Sequence, residues 1–377
     1  MKYLRLLWIV VFVTGSSMNL LSQEKPEKLS AFRDSADNAI DISDWLINKK
    51  GVLIVPSLIT EPAVGYGAAV AALYFHSSYT EKKGPPSISG VAGAYTQNGT
   101  WLGGIVHAGY WKNDRIRYLG ALARTNANLE FYGSGNLGLI GLESVNLNLD
   151  AWVLLQQIKF RLGETNLFLG GSYLLLDTKN TFSAPVDYPD FTGVEFSSTL
   201  SEASLKFELD SRNNVFTPTK GFFLGLKGTY SDEWFGGDAL YGRIGVTLIG
   251  YIPAGPKVFF GIRHESLYSL GDIPFYARPI VNLRGAPLMK YQNKNTMLME
   301  GEVSYNIYNR WNVSAFAGMG NAFNGFSELE EGKSVSTIGT GFRYLLAKKL
   351  GTHMGMDFGF SQDDFAFYII FGTAWLR

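Results

Sequence analysis

The sequence predicts an all-β chain, a 16-stranded antiparallel transmembrane β-barrel with a short N-terminal helical periplasmic segment. Three observations predict it. Of 377 residues, 43 are Gly, 26 Phe, 20 Tyr and 8 Trp, the residues that many strands and tight turns consume. An export signal is followed by no apolar run long enough to form a spanning helix. From Gly51 onward, apolar and polar residues alternate with the period of a strand. Composition also excludes other classes. The 33 basic and 33 acidic residues give zero net charge, which argues against a nucleic-acid partner. The absence of Cys removes disulfide scaffolds, thiolate catalysis and zinc sites built on sulfur. Length alone suggests two or three domains of ~150 residues, unless one large barrel uses the chain.

Residues 1–22 have the pattern of a signal peptide: Lys2 and Arg5 precede the apolar core Leu6 to Val13, and a small, polar stretch follows. Cleavage after Ser22 leaves Gln23 as the mature N-terminus, with Gly15 as the alternative site. An N-terminal anchor is the competing reading, but the apolar run falls short of the ~20 residues a spanning helix needs. Residues 23–50 are charged and nearly free of Gly, with one short amphipathic helix expected around Ile40, Ile42, Trp45 and Leu46. So short a piece cannot bury a core, so it is expected to be a periplasmic leader or a short plug.

Residues 51–377 are expected to form the outer-membrane barrel. In 297–307, Met297, Met299, Val303, Tyr305 and Ile307 share one face with Gly301, while Glu300, Glu302, Ser304 and Asn306 share the other. In 198–210, Ala203, Leu205, Phe207 and Leu209 oppose Glu202, Ser204, Lys206, Glu208 and Asp210. A strand side carrying several charges cannot pack on an apolar core. A barrel in lipid satisfies both sides, apolar outward and polar inward. A soluble sandwich also buries one face, so the export signal, strand length and aromatic flanks carry the choice. The expected strands are 52–60, 65–77, 87–97, 100–111, 115–125, 145–162, 166–178, 196–210, 221–231, 238–252, 257–269, 297–308, 311–323, 335–347, 351–361 and 365–376. With a periplasmic N-terminus, the short links 112–114, 163–166, 252–256 and 308–310 face the periplasm. The longer links 126–144, 179–195, 270–296 and 324–334 then face outward, so loop length agrees in parity with an even strand count.

Three segments resemble the BamA/TamA-type surface-antigen barrel family of outer-membrane proteins. Asp210-Ser-Arg212-Asn213-Asn214-Val-Phe216-Thr-Pro218-Thr-Lys-Gly221 is similar to that family's Asp-x-Arg-Asn…Pro-x-x-Gly periplasmic turn. Pro218 and Gly221 punctuate the turn, and Asp210 and Arg212 are placed to satisfy its backbone or each other. Val281-Asn-Leu283-Arg284-Gly285 resembles the family's lid-loop motif, which implies a loop folded back into the lumen and an Arg paired with acidic or aromatic residues. Glu300 and Glu302 point inward on the next strand, so partners for Arg284 are available. Two positions depart from the pattern: Ala286 stands where an aromatic is expected, and Gly318 takes the usual acidic place. Gly339 to Tyr344 and Asp357 look like the family's closing strands, and Gly372 and Trp375 fit its sorting signal, whereas Arg377 does not. The 28 residues between signal and barrel cannot hold a periplasmic repeat domain of ~75 residues, so the resemblance implies a barrel-only member.

That resemblance ties function to the join between first and last strands. Pro56 removes a ladder donor from strand 52–60, with Pro62 close behind, so an incomplete seam that opens sideways is one expectation. The other is that Pro56 merely ends a short strand. The leading functional expectation is an assembly or translocation barrel. Its partners would be outer-membrane lipid and client outer-membrane proteins, or a periplasmic or lipoprotein partner. The alternative is a passive channel or structural barrel without client handling. An enzyme is not expected. His76, His107, His264 and His353 show no nucleophile–base spacing, no phosphate loop, metal triad or carboxylate pair stands out, Glu300 and Glu302 read as loop partners rather than acid/base catalysts, and no cofactor is expected.

Overall fold

A computed structural model describes residues 32–61, 63–81, 85–132, 144–183, 194–362 and 364–375. The signal-peptide assignment, Pro62 and Arg377 lie outside the described residues. The strands are β1 (Gly51–Ile59), β2 (Gly67–Phe75), β3 (Ile88–Thr96), β4 (Trp101–Trp111), β5 (Ile116–Phe131), β6 (Val145–Arg161), β7 (Leu167–Ser183) and β8 (Val194–Asp210). They continue as β9 (Gly221–Ser231), β10 (Tyr241–Pro253), β11 (Val258–Gly271), β12 (Asn295–Tyr308), β13 (Trp311–Phe323), β14 (Lys333–Ala347), β15 (Thr352–Phe360) and β16 (Phe365–Phe371). They form one sheet in which each strand pairs with the next, antiparallel throughout. Among the described residues no ladder joins β1 to β16, so the barrel is nearly closed rather than sealed.

The burial pattern inverts that of a soluble protein. Leu205 is 74% exposed, and Ile262, Met299, Ile307 and Ile338 also face outward, while Glu300, Arg343 and Asp357 are buried inside. Strand alternation produces this inversion directly: in β12, exposed Met299, Val303 and Tyr305 interleave with lumenal Glu300, Glu302 and Ser304.

Several boundaries depart from the sequence expectation. Strand 115–125 continues to Phe131, strand 166–178 to Ser183, and strand 196–210 begins at Val194, so the ends of the expected loops 126–144 and 179–195 are sheet. Polar pairing carries those extensions beyond the apolar band. Asn148 Nδ2 donates to Asn126 Oδ1 and Asn128 Oδ1 at 2.8 Å, and Thr178 Oγ1 meets Ser198 Oγ at 2.8 Å. The last strand, expected to reach 376, stops at Phe371. There Gly372 adopts φ +80°, the left-handed region, and its N–H bonds His353 O at 2.8 Å. The chain turns inward at that point. The expected amphipathic helix shrinks to α1 (Ser43–Ile47), because Asp41 Oδ1 accepts from Ser43 N at 2.7 Å and Ile42 N bonds Leu346 O instead of continuing a helix backward.

Candidate functional site

The link between β11 and β12 enters the lumen and buries Val281, Leu283, Arg284 and Ala286. Arg284 is 1% exposed and is engaged by three carboxylates from two walls. Its Nε donates to Glu300 Oε1 at 2.7 Å, and its Nη1 donates to Glu302 Oε2 and to Asp357 Oδ2, each at 2.7 Å. The guanidinium lies 3.6 Å from the Phe316 ring centroid and 6.0 Å from that of Trp375. Around it, Arg263 Nη2 reaches Glu300 Oε2 at 3.2 Å, and Arg343 Nη2 reaches Asp357 Oδ2 at 2.8 Å. Three guanidiniums therefore face three buried carboxylates, and these six charges balance, while Glu265, 30% exposed, adds a more distant partner to Arg263 at 3.5 Å. That balance is what lets so many ions sit away from water.

Glycine positions make room for the loop. Gly285 has φ +95°, and a Cβ there would fall 2.6 Å from Phe360 N, so the loop's backbone rests directly on β15. A Cβ on Gly318 would meet Leu283 Cδ2 at 2.8 Å, and one on Gly320 would overlap Val281 Cγ1. The acidic residue missing at position 318 is thus displaced by Leu283, and Asp357 supplies the charge from the neighbouring wall. Where an aromatic is missing at Ala286, Phe316 and Trp375 provide the rings around Arg284. Gly285 N also donates to Tyr368 Oη on β16 at 3.1 Å, which ties the loop to the last strand.

The inward turn at Gly372 carries the chain end into the same cluster. Trp375 Nε1 donates to Glu300 Oε2 at 2.9 Å, and Tyr251 Oη meets Thr373 Oγ1 at 3.0 Å. Trp375, expected on a membrane strand as part of a sorting signal, is a lumenal residue here.

The turn between β8 and β9 packs beneath this cluster, beside Glu302 and Arg343. Arg212 forms a two-pronged bond with Asp210, Nε to Oδ1 at 2.8 Å and Nη2 to Oδ2 at 2.7 Å. Asn213 Oδ1 accepts from Thr219 N at 3.0 Å and Lys220 N at 3.1 Å, spanning the hairpin ahead of Gly221, whose φ is +96°. Between them, Asn214 Nδ2 donates to Leu350 O at 2.8 Å and Thr217 Oγ1 accepts from His353 N at 3.2 Å, so this turn reaches across to β15 and the link that precedes it. Pro218 lines a small hollow beneath Glu302 and Arg343, beside Gly372.

At the seam, a cleft of about 290 Å³ lies between Leu58 to Glu61 and Tyr368 to Ala374. Pro56 sits in β1 opposite Val70 of β2, and it interrupts neither that pairing nor the strand. Sequence reasoning does not connect Asp357, Phe316, Arg263 or Arg343 to Arg284. Their inward phase is readable from alternation, but their convergence depends on barrel closure.

Comparison with known proteins places this geometry. Residues 146–278 match the Omp85 superfamily domain. BamA from Haemophilus ducreyi, in a structure lacking POTRA domains 1–3, superposes with a TM-score of 0.59 at 11% identity, over 86% of this chain and 70% of that one. CdiB from Escherichia coli gives 0.58 at 10% identity, over 84% and 61%, and CdiB from Acinetobacter baumannii gives 0.56 at 9%, over 85% and 59%. The chain thus spans about three-fifths of the length of the two CdiB chains, and at these identities the likeness speaks for the fold. No curated protein matches it in sequence.

Proposed function

We propose that this 16-stranded barrel, of which residues 146–278 match the Omp85 superfamily domain, assembles or translocates proteins through a lumenal lid loop and a seam between its first and last strands. The observation that carries the reading is the seam itself: among the described residues β1 and β16 share no ladder, and the lid is fastened beside them through Gly285 and Tyr368. In lipid, each unpaired backbone N–H or C=O costs several kcal/mol, so an open edge favours pairing with an incoming strand. A client strand added to such an edge gains backbone hydrogen bonds without requiring a particular side-chain sequence. No covalent step is needed. Outer-membrane lipid surrounds the barrel, and its proposed partners are client outer-membrane proteins, or a periplasmic or lipoprotein partner that delivers them.

Leu283, Arg284 and Gly285 serve as the lid's anchor, with Glu300 and Glu302 as its lumenal receptors. Asp210, Arg212, Asn213, Pro218 and Gly221 brace the turn end. Reconstitution into liposomes tests the reading. Accelerated folding of a client barrel, reduced when cysteines lock Leu58 to Ile369 across the cleft, is the expected result. Ion conductance with no effect on client folding would instead identify a passive channel.

A further inference from the structure

Short turns face the periplasm in barrels of this kind, and on that rim the residues preceding β1 make an ordered connection. At one end, Arg310, in the turn between β12 and β13, is 3% exposed. Its Nη2 donates to Asp34 Oδ2 at 2.7 Å, its Nε to Asp37 Oδ2 at 2.8 Å and its Nη1 to Asp41 Oδ2 at 2.7 Å. All three carboxylates come from the leader. Ile42 N then bonds Leu346 O at 3.0 Å, Lys349 N bonds Ser43 Oγ at 3.0 Å, and Lys348 Nζ pairs with Asp34 at 2.7 Å. At the other end, Tyr79 N bonds Ile47 O at 3.1 Å and Lys50 Nζ pairs with Glu81 at 3.3 Å, both in the link between β2 and β3. The segment therefore passes from the β12–β15 turns to the β2–β3 link, across the interval that holds β16 and β1.

We propose that residues 34–50 are a strap over the seam, buckled by Arg310, and that unbuckling it frees β1 to part from β16. The proposal rests on the seam reading above and names what restrains that seam. β1 has a ladder only with β2, so its Gly51 end is held from the other side by this segment alone among the described elements. From Asp41 to Gly51 a fully extended chain spans up to ~35 Å, but α1 rises only ~1.5 Å per residue, so the connection is taken up and short. Moving β1 away from β14 and β15 then requires α1 to unwind, or the Asp–Arg310 contacts to break together with the neighbouring Ile42–Leu346 and Ser43–Lys349 bonds that they hold in register. A guanidinium withdrawn from water is held by its ion partners, so the three aspartates set the strength of the buckle.

The test uses the full chain in lipid nanodiscs. Spin labels at Ala39→Cys and Leu350→Cys report whether the strap is seated. Oxidative cross-linking of Leu58→Cys with Ile369→Cys reports whether the seam is closed. In Arg310→Ala, and independently in Asp34→Asn with Asp37→Asn, the label distance is expected to lengthen and cross-linking to slow by roughly tenfold, the factor for loss of ~1.4 kcal/mol. A disulfide tether, made by oxidising the unlabelled pair Ala39→Cys with Leu350→Cys, is expected to keep the seam closed. Heat-modifiable gel migration identifies any variant that fails to form a barrel, in which case the aspartate variant and the oxidised tether decide. A released strap with unchanged cross-linking overturns the proposal, as does a strap that stays seated without Arg310. A released strap and an opened seam with client folding unaffected would uphold the strap and overturn the assembly reading.

Discussion

Replacing Arg284 with Met removes three ionic contacts of 2.7 Å each and leaves Glu300, Glu302 and Asp357 facing only Arg263 and Arg343. One negative charge is then uncompensated beside a side chain that was 1% exposed. Removing one partner from a buried ion cluster costs about 3–5 kcal/mol, so the ratio of docked to undocked lid should fall by roughly two to four powers of ten. Spin labels at Leu288→Cys on the lid and Glu331→Cys on the neighbouring outer loop should show a second, longer distance, and bilayer conductance should rise. Adding Glu302→Gln to Arg284→Met returns the cluster to two charges of each sign and should restore much of the docking. The reasoning is refuted if Arg284→Met keeps a single distance and unchanged conductance. It is also refuted if the double variant loses the sum of the two single effects, since neighbours in one network should couple.

Deleting the lid between Asp272 and Lys294 should raise conductance more than Arg284→Met does, and no change would exclude it as the plug. Gly285→Ala places a Cβ 2.6 Å from Phe360 N at φ +95° and should weaken docking by about 1–3 kcal/mol, read by the same label pair. Trp375→Phe keeps an aromatic ring but removes the Nε1 bond to Glu300, worth about 1.5–3 kcal/mol for a charged acceptor, along with part of the indole, and should lower the denaturant midpoint of the folded barrel. The strap should show its own pH dependence. The Lys348 bond holds Asp34 below the ordinary carboxylate range, and the Arg310 bond does the same for Asp37. At Asp41, burial opposes this but bonds from Ser43 and Arg310 prevail, so its value is lowered too. Depressed values mean that the stabilisation is complete above the free-carboxylate value of 3.8 and fades as pH falls through the lower values. The Ala39–Leu350 label distance should therefore stay constant from pH 8 to about 5 and lengthen only below 4.

Much of the wall is legible in the sequence because a strand's period exposes its inside and outside at once. Met299 and Glu300 differ in environment for no reason other than parity. The site's first half is legible for the same reason: alternation puts Glu300 and Glu302 in the lumen, within reach of a long loop. The second half is not, because Asp357 lies 73 positions from Arg284 and only ring closure brings them together. Trp375 misleads for a local reason. Its spacing from Gly372 suits a continuing strand, and only the left-handed turn at that glycine sends it inward. The polar tops of β5 to β8 mislead in the opposite direction. Asn126 and Asn128 have the composition of a loop, and their side-chain amides become rungs only when they lie beside Asn148 of the next strand.

The wall is also uneven in height. β6, β7 and β8 each run 17 residues, whereas β16 has 7, and β1, β2, β3 and β15 have 9 apiece. At ~3.3 Å per residue, the sheet is roughly twice as tall on one side as on the side that bears the seam. A cylinder built this way does not flex uniformly. Torque applied anywhere is absorbed where rungs are fewest, so the tall side behaves as a stator and the low side as the compliant leaf of a hinge.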